Sequence, residues 1–463
     1  MNYLTLVNKD NKIKDSYYKQ VKLIETINVE DEKTEVEEKT YENYLELKEF
    51  LKKKNIIIGI DTAYRDEKYQ QEIWDDFYET KGEDYCHKYV APVGCSEHHT
   101  GLAIDISLKK NNIFLTDGGD LLKYDEDFKK IHPYLKDFGF ILRYPEGKES
   151  ITGYSYEPWH IRYVGKIPAQ IISENNLCLE EYLNGFGGIL LVNKEKNMTS
   201  FDVVKKVSNI LGIKKIGHTG TLDPLAEGVL VLTIGKYTKL GEELTSLEKE
   251  YIAEVKQGIL TDTLDITGNV IEENNNRIDN LEEILKSFKK TYMQEVPKYS
   301  AVKVNGKKLY EYARKNEAVE LPKKEVTIKE IELLKKDKDT FSFKTTVSKG
   351  TYIRSLIRDI GKSSNCLMTM TSLTRIKQGR FKIEECYSLE DVENGNFKIL
   401  GLLDIVDYKI IDIDDEMFKK VDNGVVLDNN YDIYDKVIFR YKGKIIAIYK
   451  KDVNKLKMYK KIN

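Results

Sequence analysis

Three glycines in five residues, Asn184-Gly-Phe-Gly-Gly188, interrupt this chain where its charge balance changes sign. Glycine loses the most backbone freedom in a helix or strand, so such a cluster marks a boundary rather than the interior of an element. Up to residue 185 there are 25 Lys and Arg against 35 Asp and Glu; beyond it there are 49 against 42. A chain of 463 residues also exceeds what one hydrophobic core usually organises. An acidic module followed by a basic one is expected, the basic one being suited to a polyanionic partner.

Several classes are excluded at once. No run of about 18 apolar residues exists, so no membrane-spanning helix is expected. The opening residues Met-Asn-Tyr-Leu-Thr-Leu-Val-Asn-Lys-Asp lack a basic stretch followed by a long apolar one, so no secretory signal is expected. The cysteines Cys86, Cys95, Cys178, Cys366 and Cys386 are odd in number and lack CxxC spacing. That pattern fits a reducing cytoplasm, without membrane association, better than a disulfide framework.

Hydrophobic periodicity predicts a helix over 41–54, a buried strand over 56–60, a helix over 66–80 and a strand over 102–108. A helix over 127–138 and a closing strand over 160–165 complete a first module that begins at about Tyr3. Alternating types without a clean βαβ rhythm point to α+β. The second module opens on the apolar run 189–192, and residues 251–255 and 326–334 alternate as strands do. The segment from about 408 to 463 is strand-rich, with turn signals at Asp422-Asn-Gly424 and Lys442-Gly443, and reads as a small all-β appendage.

Within the second module, Lys215-Ile-Gly-His-Thr-Gly-Thr-Leu-Asp-Pro-Leu-Ala-Glu-Gly-Val-Leu230 places one carboxylate, Asp223, at a turn between two apolar segments. Gly217, Gly220 and Gly228 allow tight turning or close approach of a ligand, and Pro224 stiffens the next step. A Thr-Leu-Asp-Pro turn is ordinary by itself, but an acid presented this way can also attack an electrophile. Four further segments accompany it. They are Gly188-Ile-Leu-Leu-Val-Asn-Lys-Glu-Lys-Asn-Met-Thr-Ser-Phe-Asp202; Lys249-Glu-Tyr-Ile-Ala-Glu-Val with Thr261-Asp-Thr-Leu-Asp-Ile-Thr-Gly268; Val296-Pro-Lys-Tyr-Ser-Ala-Val-Lys-Val-Asn-Gly306; and Ser348-Lys-Gly-Thr-Tyr-Ile-Arg-Ser-Leu-Ile-Arg-Asp359. Ser372-Leu-Thr-Arg375 and Gly379-Arg-Phe381 trail the last.

Together and in this order, these motifs resemble the TruB family of tRNA pseudouridine synthases, from about Gly187 to the C-terminus. The resemblance implies isomerisation of the T-loop uridine 55 of tRNA, without metal or cofactor, on a base flipped out of its loop. Asp223 then matches the catalytic aspartate, attacking ribose C1′ or uracil C6. Arg354 matches the arginine that pairs with it, and Tyr251 the tyrosine that stacks on the uracil. His218 and Lys194 match positions near the nucleotide and its backbone, and Tyr352 and Leu373 match pocket positions. Two departures stand out: Val296-Pro297 where many members read Pro-Pro, and Lys194-Glu-Lys-Asn197 where many carry Lys-Pro-x-Gly. The appendage resembles the family's PUA-like RNA-binding tail, with Lys455, Lys457, Lys460 and Lys461 suited to acceptor-arm phosphates.

In the first module, Ser96-Glu-His-His-Thr-Gly-Leu-Ala-Ile-Asp105 and Glu157-Pro-Trp-His160 supply imidazoles and carboxylates from separated segments. Two His, one Asp and a nearby Glu are what a catalytic zinc needs: three protein ligands, an open water position and a base. Spacing alone leaves His98 and His99 as equal candidates. These motifs resemble the VanY-type D-alanyl-D-alanine carboxypeptidases over about residues 3–183. That resemblance selects His98, Asp105 and His160 as zinc ligands and Glu157 as general base. It also makes Arg65, in a segment matched together with Gln70, the stabiliser of a substrate carbonyl or carboxylate, and Ser96 a substrate-contacting position. Asp61-Thr-Ala-Tyr-Arg stands where Ser-Gly-Tyr-Arg is usual. Because Glu157 and His160 are three apart, a bend at Pro158 is expected between them.

The expected fold class is α+β multidomain. It comprises a zinc D,D-peptidase-like α+β domain over 1–184, a mixed α/β synthase domain with a central antiparallel-rich sheet over 187–400, and a small β-rich PUA-like tail over 401–463. The expected function is a cytoplasmic fusion acting on the T-arm of tRNA and on D-Ala-D-Ala-containing peptides or dipeptides, with Zn2+ in the first domain only. Two alternatives stand beside it: a first domain that binds without catalysing, and a whole chain acting as an RNA chaperone on tRNA shape.

Overall fold

The computed structural model describes residues 2–116 and 121–462. The chain divides into two compact units, Met1–Phe186 and Gly187–Asn463.

In the first unit, helix α1 (Glu38–Lys52) is capped by Glu37, whose carboxylate accepts from the Thr40 backbone N–H. Its buried face, Tyr44, Leu47 and Leu51, packs on a sheet made of β1 (Ile58–Thr62), β2 (Ala103–Lys110), β3 (Phe140–Leu142) and β4 (His160–Tyr163). The sheet order is β1-β2-β4-β3, antiparallel throughout. Strand β4 is therefore interior rather than closing, and all four of its residues are buried. A helical hairpin, α2 (Glu67–Lys81) and α3 (Glu83–Tyr89), follows β1, and helix α4 (Leu179–Asn184) ends the unit. The helix expected over 127–138 is broken into Asp125–Phe128, His132–Leu135 and a 3-10 turn Lys136–Phe138. Pro133 explains the break: it lacks an N–H and is tolerated only in the first turn of a new helix.

The second unit is built on one large sheet. Its strands are β5 (Gly187–Lys194), β6 (Ile216–His218), β7 (Glu227–Gly235), β8 (Lys249–Gln257), β9 (Thr291–Glu295), β10 (Lys323–Lys336), β11 (Thr340–Val347) and β12 (Met368–Gln378). They run in the order β9-β10-β11-β8-β12-β7-β5, with β6 added on β7. Every pairing is antiparallel except β7 with β12. Helix α5 (Ser200–Leu211) is entered through a Thr199–Asp202 capping box. Helix α6 (Ile353–Ser363) buries Ile353, Leu356, Ile357 and Ile360 in the core that also holds Ala253, Phe343 and Met370.

The C-terminal strands form a second sheet, with β13 (Lys409–Asp412), β14 (Leu427–Asp428), β15 (Lys436–Tyr441), β16 (Lys444–Asp452) and β17 (Lys455–Lys461) in the order β13-β15-β16-β17-β14. The β15–β16 hairpin turns on Lys442 and Gly443, both at positive φ, as a two-residue hairpin requires. Ile438, Ile448 and Ile462 of this region share a core with Ile189, Leu191 and Val229 of the large sheet.

The parallel contact between β7 and β12 is made at Gly228, opposite Arg375, with φ at 102°. A Cβ there would lie 2.3 Å from the Arg375 carbonyl oxygen. Gly228→Ala is therefore expected to cost on the order of 1–3 kcal/mol from backbone strain alone, before the clash is counted. The measurement is a lowered melting temperature in the full chain.

Candidate active sites

Strand register builds the first site. Antiparallel pairing sets Asp105 on β2 directly opposite His160 at the start of β4. On its other side β2 pairs with β1, where Asp61 is the extra residue between the Ile60–Ile106 and Thr62–Asp105 pairs. Such a bulge re-aims side chains, and Asp61 and Thr62 consecutively line the same cavity. The 3-10 turn Glu97–Thr100 brings in His98, and Gly101 ends that turn at φ 68°. The Pro158–Trp159 turn, closed by the His160 N–H donating to the Glu157 carbonyl, brings Glu157 Oε2 to 3.6 Å from His160 Nδ1.

The ligand atoms of His98, Asp105 and His160 all lie within 4.8 Å of one another. His98 Nε2 is 3.1 Å from Asp105 Oδ2, and His160 Nδ1 is 3.0 Å from Asp105 Oδ1. His98 donates from Nδ1 to the Ala63 carbonyl at 2.6 Å, which leaves Nε2 as the free lone pair. His99 has no such freedom. It donates from Nδ1 to the Arg65 carbonyl at 2.7 Å and accepts the Gly94 N–H at Nε2, so both of its nitrogens are used. The structure thus separates two histidines that spacing could not.

Electrostatics fit a cation at this point. Burial, with Arg65 nearby, lowers His98 to about 4 and keeps it neutral. His160 rises to about 9 although its burial acts the other way, because the Asp105, Glu97 and Glu157 carboxylates surround it. A dication between Asp105 and the two imidazoles would replace that proton. Asp105 Oδ1 is buried and outside hydrogen-bond geometry, as expected of an atom aimed at a metal. One carboxylate and two imidazoles suit zinc. Burial pushes Glu157 up to about 7, and burial with the Asp105 charge does the same to Asp61.

A cavity of about 430 Å³ opens over these groups, lined also by Arg65, Gln70 and Ser96. Arg65 reaches Asp105 Oδ2 at 3.0 Å. Gln70 donates to the Ala91 carbonyl, and its own amide oxygen is buried without a hydrogen-bond partner among the described residues. Ser96 Oγ accepts the His98 N–H. Glu97, inside the Ser96–Asp105 motif, and Asp61, at the cavity wall, join the site through contacts that no local pattern of residues signals.

In the second unit, Asp223 sits on the loop between β6 and β7. Leu222 N–H donates to Ser200 Oγ at 2.9 Å, Asn197 N–H to the Pro224 carbonyl at 2.7 Å, and Ala226 N–H to the Asp223 carbonyl at 3.0 Å. From the other side Arg375 donates to the Gly220 carbonyl at 3.0 Å, and Gln378 to Thr219 Oγ1 at 2.6 Å. Lys194 is fully buried, with its ammonium donating to the carbonyls of Glu195, Met198 and Pro224. It fastens the loop, and burial lowers it to about 8.

Asp223 Oδ2 meets Arg354 Nη2 at 2.9 Å, the carboxylate side chain being 35% exposed and the guanidinium 5%. Arg354 also donates to the carbonyls of Thr263 and Tyr299 and lies 3.7 Å from Asp265. Asp265 is itself fixed by Thr263 Oγ1 and the Thr267 N–H. Arg358 of the same helix binds Asp359 and Glu295 instead, in a partly buried ion pair. Tyr251, Leu373, Leu222 and Ile353 belong to one core cluster, which Leu222 joins from the residue before Asp223. Burial, with the Asp223 charge nearby, pushes the Tyr352 hydroxyl above its ordinary value. Burial lowers His218, whose Nδ1 accepts the Gly220 N–H. Asp265, Ser200, Arg375 and Gln378 were not singled out from the sequence, because their role is to hold backbone and partners distant in the chain. In the tail, Lys455, Lys457 and Lys461 pair with Asp428, Asp452 and Asp422, while Lys460 lies 3.7 Å from Glu243.

Residues 208–353 match the family model of the TruB family pseudouridylate synthase N-terminal domain, and residues 33–166 match that of the D-alanyl-D-alanine carboxypeptidase VanY. Over 244 residues the chain is 43% identical to the tRNA pseudouridine synthase B of Clostridium kluyveri, covering 51% of this chain and 84% of that protein. It is 48% identical over 199 residues to that of Fusobacterium nucleatum, covering 42% and 69%. A solved structure of a vancomycin resistance D,D-pentapeptidase VanY variant with Zn(II) is 34% identical, covering 40% of this chain and all of that one, with a TM-score of 0.34. The chain belongs to the TruB family of pseudouridine synthases through its second unit, and carries a VanY-like domain as its first.

Proposed function

We propose that the second unit converts uridine 55 in the T arm of tRNA to pseudouridine, and that the first is a zinc-dependent peptidase for peptides or dipeptides ending in D-alanyl-D-alanine. The observation that carries the first reading is the Asp223–Arg354 pair at 2.9 Å, presented on a loop clipped from both sides. Arg354 engages one carboxylate oxygen, while Asp223 stays about a third exposed and reachable by an extruded nucleotide. Isomerisation conserves every atom of the nucleotide: the C1′–N1 bond breaks, a C1′–C5 bond forms, and the C5 proton is exchanged for one on N1. Attack at C1′ or at C6 requires a positioned carboxylate in either case. Tyr251 and Leu373 supply an apolar wall against which the base can stack.

In the first unit His98, Asp105 and His160 are the groups that would hold zinc, which when bound supplies Lewis acidity and a water of lowered pKa. Glu157 takes and returns a proton at its carboxylate, since burial pushes it up to about 7. Arg65 offers its guanidinium to a substrate carbonyl or carboxylate at the cavity wall. We place both reactions in the cytoplasm, where tRNA is found.

Asp223→Asn is expected to lower pseudouridine formation by on the order of 10⁴-fold, with tRNA binding retained. Carbodiimide labelling and reverse transcription of T-arm tRNA read the product; isomerisation near the wild-type rate would refute the assignment. Zinc analysis separates the histidines: His98→Ala should lose the metal, and His99→Gln should keep it. For the peptidase, a base must be deprotonated to work. Burial raises Glu157 above the usual carboxylate range, so kcat/KM should fall as pH drops, about tenfold per unit once the base is mostly protonated, read from D-alanine release across a pH series.

A further inference from the structure

We infer that Glu97 is a positioning residue for the metal centre: it receives the Nε2 proton of His160 and so turns Nδ1 of that ring toward Asp105. The inference rests on the metal-centre reading of the first unit.

Glu97 sits one residue before His98 and its side chain is fully buried. Its Oε1 accepts from Arg143 Nε at 2.7 Å and lies 2.7 Å from Arg162 Nη1. Burial alone would raise this acid, but the two guanidiniums hold it well below the usual carboxylate range. Oε2 is different. It is buried without a hydrogen-bond partner among the described residues, and so is His160 Nε2, 3.9 Å away. An acceptor and a ring nitrogen, each left over, face one another. A movement of about 1 Å brings them to hydrogen-bond length.

The opposite nitrogen of the ring, Nδ1, faces Asp105 at 3.0 Å and Glu157 at 3.6 Å. His98 is arranged the other way round, with Nδ1 donating to the Ala63 carbonyl and Nε2 facing Asp105. The two imidazoles thus present different nitrogens to one point; the Ala63 carbonyl accepts from the far nitrogen of His98, and Glu97 Oε2 stands 3.9 Å behind that of His160, the place an orienting partner of a metal ligand takes.

The arginines explain how a carboxylate can be kept there. Arg143 also binds Glu180 of α4 through both Nη atoms, at 2.7 and 3.0 Å. Arg162 donates to the Tyr3 and Thr5 carbonyls. Two cations and two carboxylates balance, so Glu97 need not be neutralised by a proton of its own.

The test uses the full chain, with zinc affinity measured by chelator competition. Glu97→Asp keeps the charge for both arginines but withdraws the carboxylate from His160. Its zinc affinity should fall about tenfold or more with the fold intact by circular dichroism. Glu180→Gln alters the same network away from His160 and should stay within about twofold of wild type. Wild-type affinity in Glu97→Asp, or an equal loss in Glu180→Gln, overturns the inference. Histidine ¹⁵N NMR of the zinc-loaded wild type decides without any variant: Nδ1 metallated and Nε2–H retained on His160 supports it, and an Nε2-metallated ring overturns it. If His160→Ala binds zinc as tightly as wild type, the metal-centre reading itself has failed, which is a separate result.

Discussion

A charge taken out of water must be matched by an opposite charge or by aimed dipoles, and both sites of this chain are arrangements for doing so. In the second unit Arg354 is almost wholly buried, and it is satisfied by Asp223, Asp265 and two backbone carbonyls. The side chain that orients Asp223 is thus itself held by groups from two other segments, Thr263–Asp265 and Tyr299. In the first unit the same need is met by alternation, with Arg143 and Arg162 against Glu97 and Glu180, and the two histidines against Asp105. Removing one member of either set leaves its partner uncompensated, which ties local geometry to the stability of the surrounding core.

The departures from family patterns become intelligible as backbone conformation. Asn197 adopts φ 64°, a region that asparagine tolerates better than other non-glycine residues. Its N–H then reaches the Pro224 carbonyl beside Asp223. Val296, unlike a proline, carries an N–H, which donates to the Pro322 carbonyl. Ala63 is not among the positive-φ residues, and its carbonyl holds His98 in the orientation described above. Each change alters how a loop is fastened and leaves every chemical group in place.

Element types were legible wherever periodicity was long, as in the helix at Glu38–Lys52 and the strand at Lys249–Gln257. They were misread where a single residue overrode the pattern, as Pro133 did for the segment before Phe138. Strand β4 was legible as a strand but not as an interior one, since four buried residues carry no information about which neighbours they pair with.

The sequence by itself determined which chemical groups exist and which local turns carry them. A carboxylate after Thr-Leu and before Pro, a Gly-Thr-Tyr-Ile-Arg segment, and a Glu-x-x-His pair around a proline are properties of neighbouring residues. Only the tertiary structure decided which histidine is free to bind a metal, which groups fasten the Asp223 loop, and what lies behind His160. Those depend on strand register and on contacts between segments up to 160 residues apart, such as Arg162 with the Tyr3 carbonyl and Arg375 with that of Gly220. A linear pattern of residue types does not encode such pairings, because the free energy that selects them comes from burying whole surfaces together.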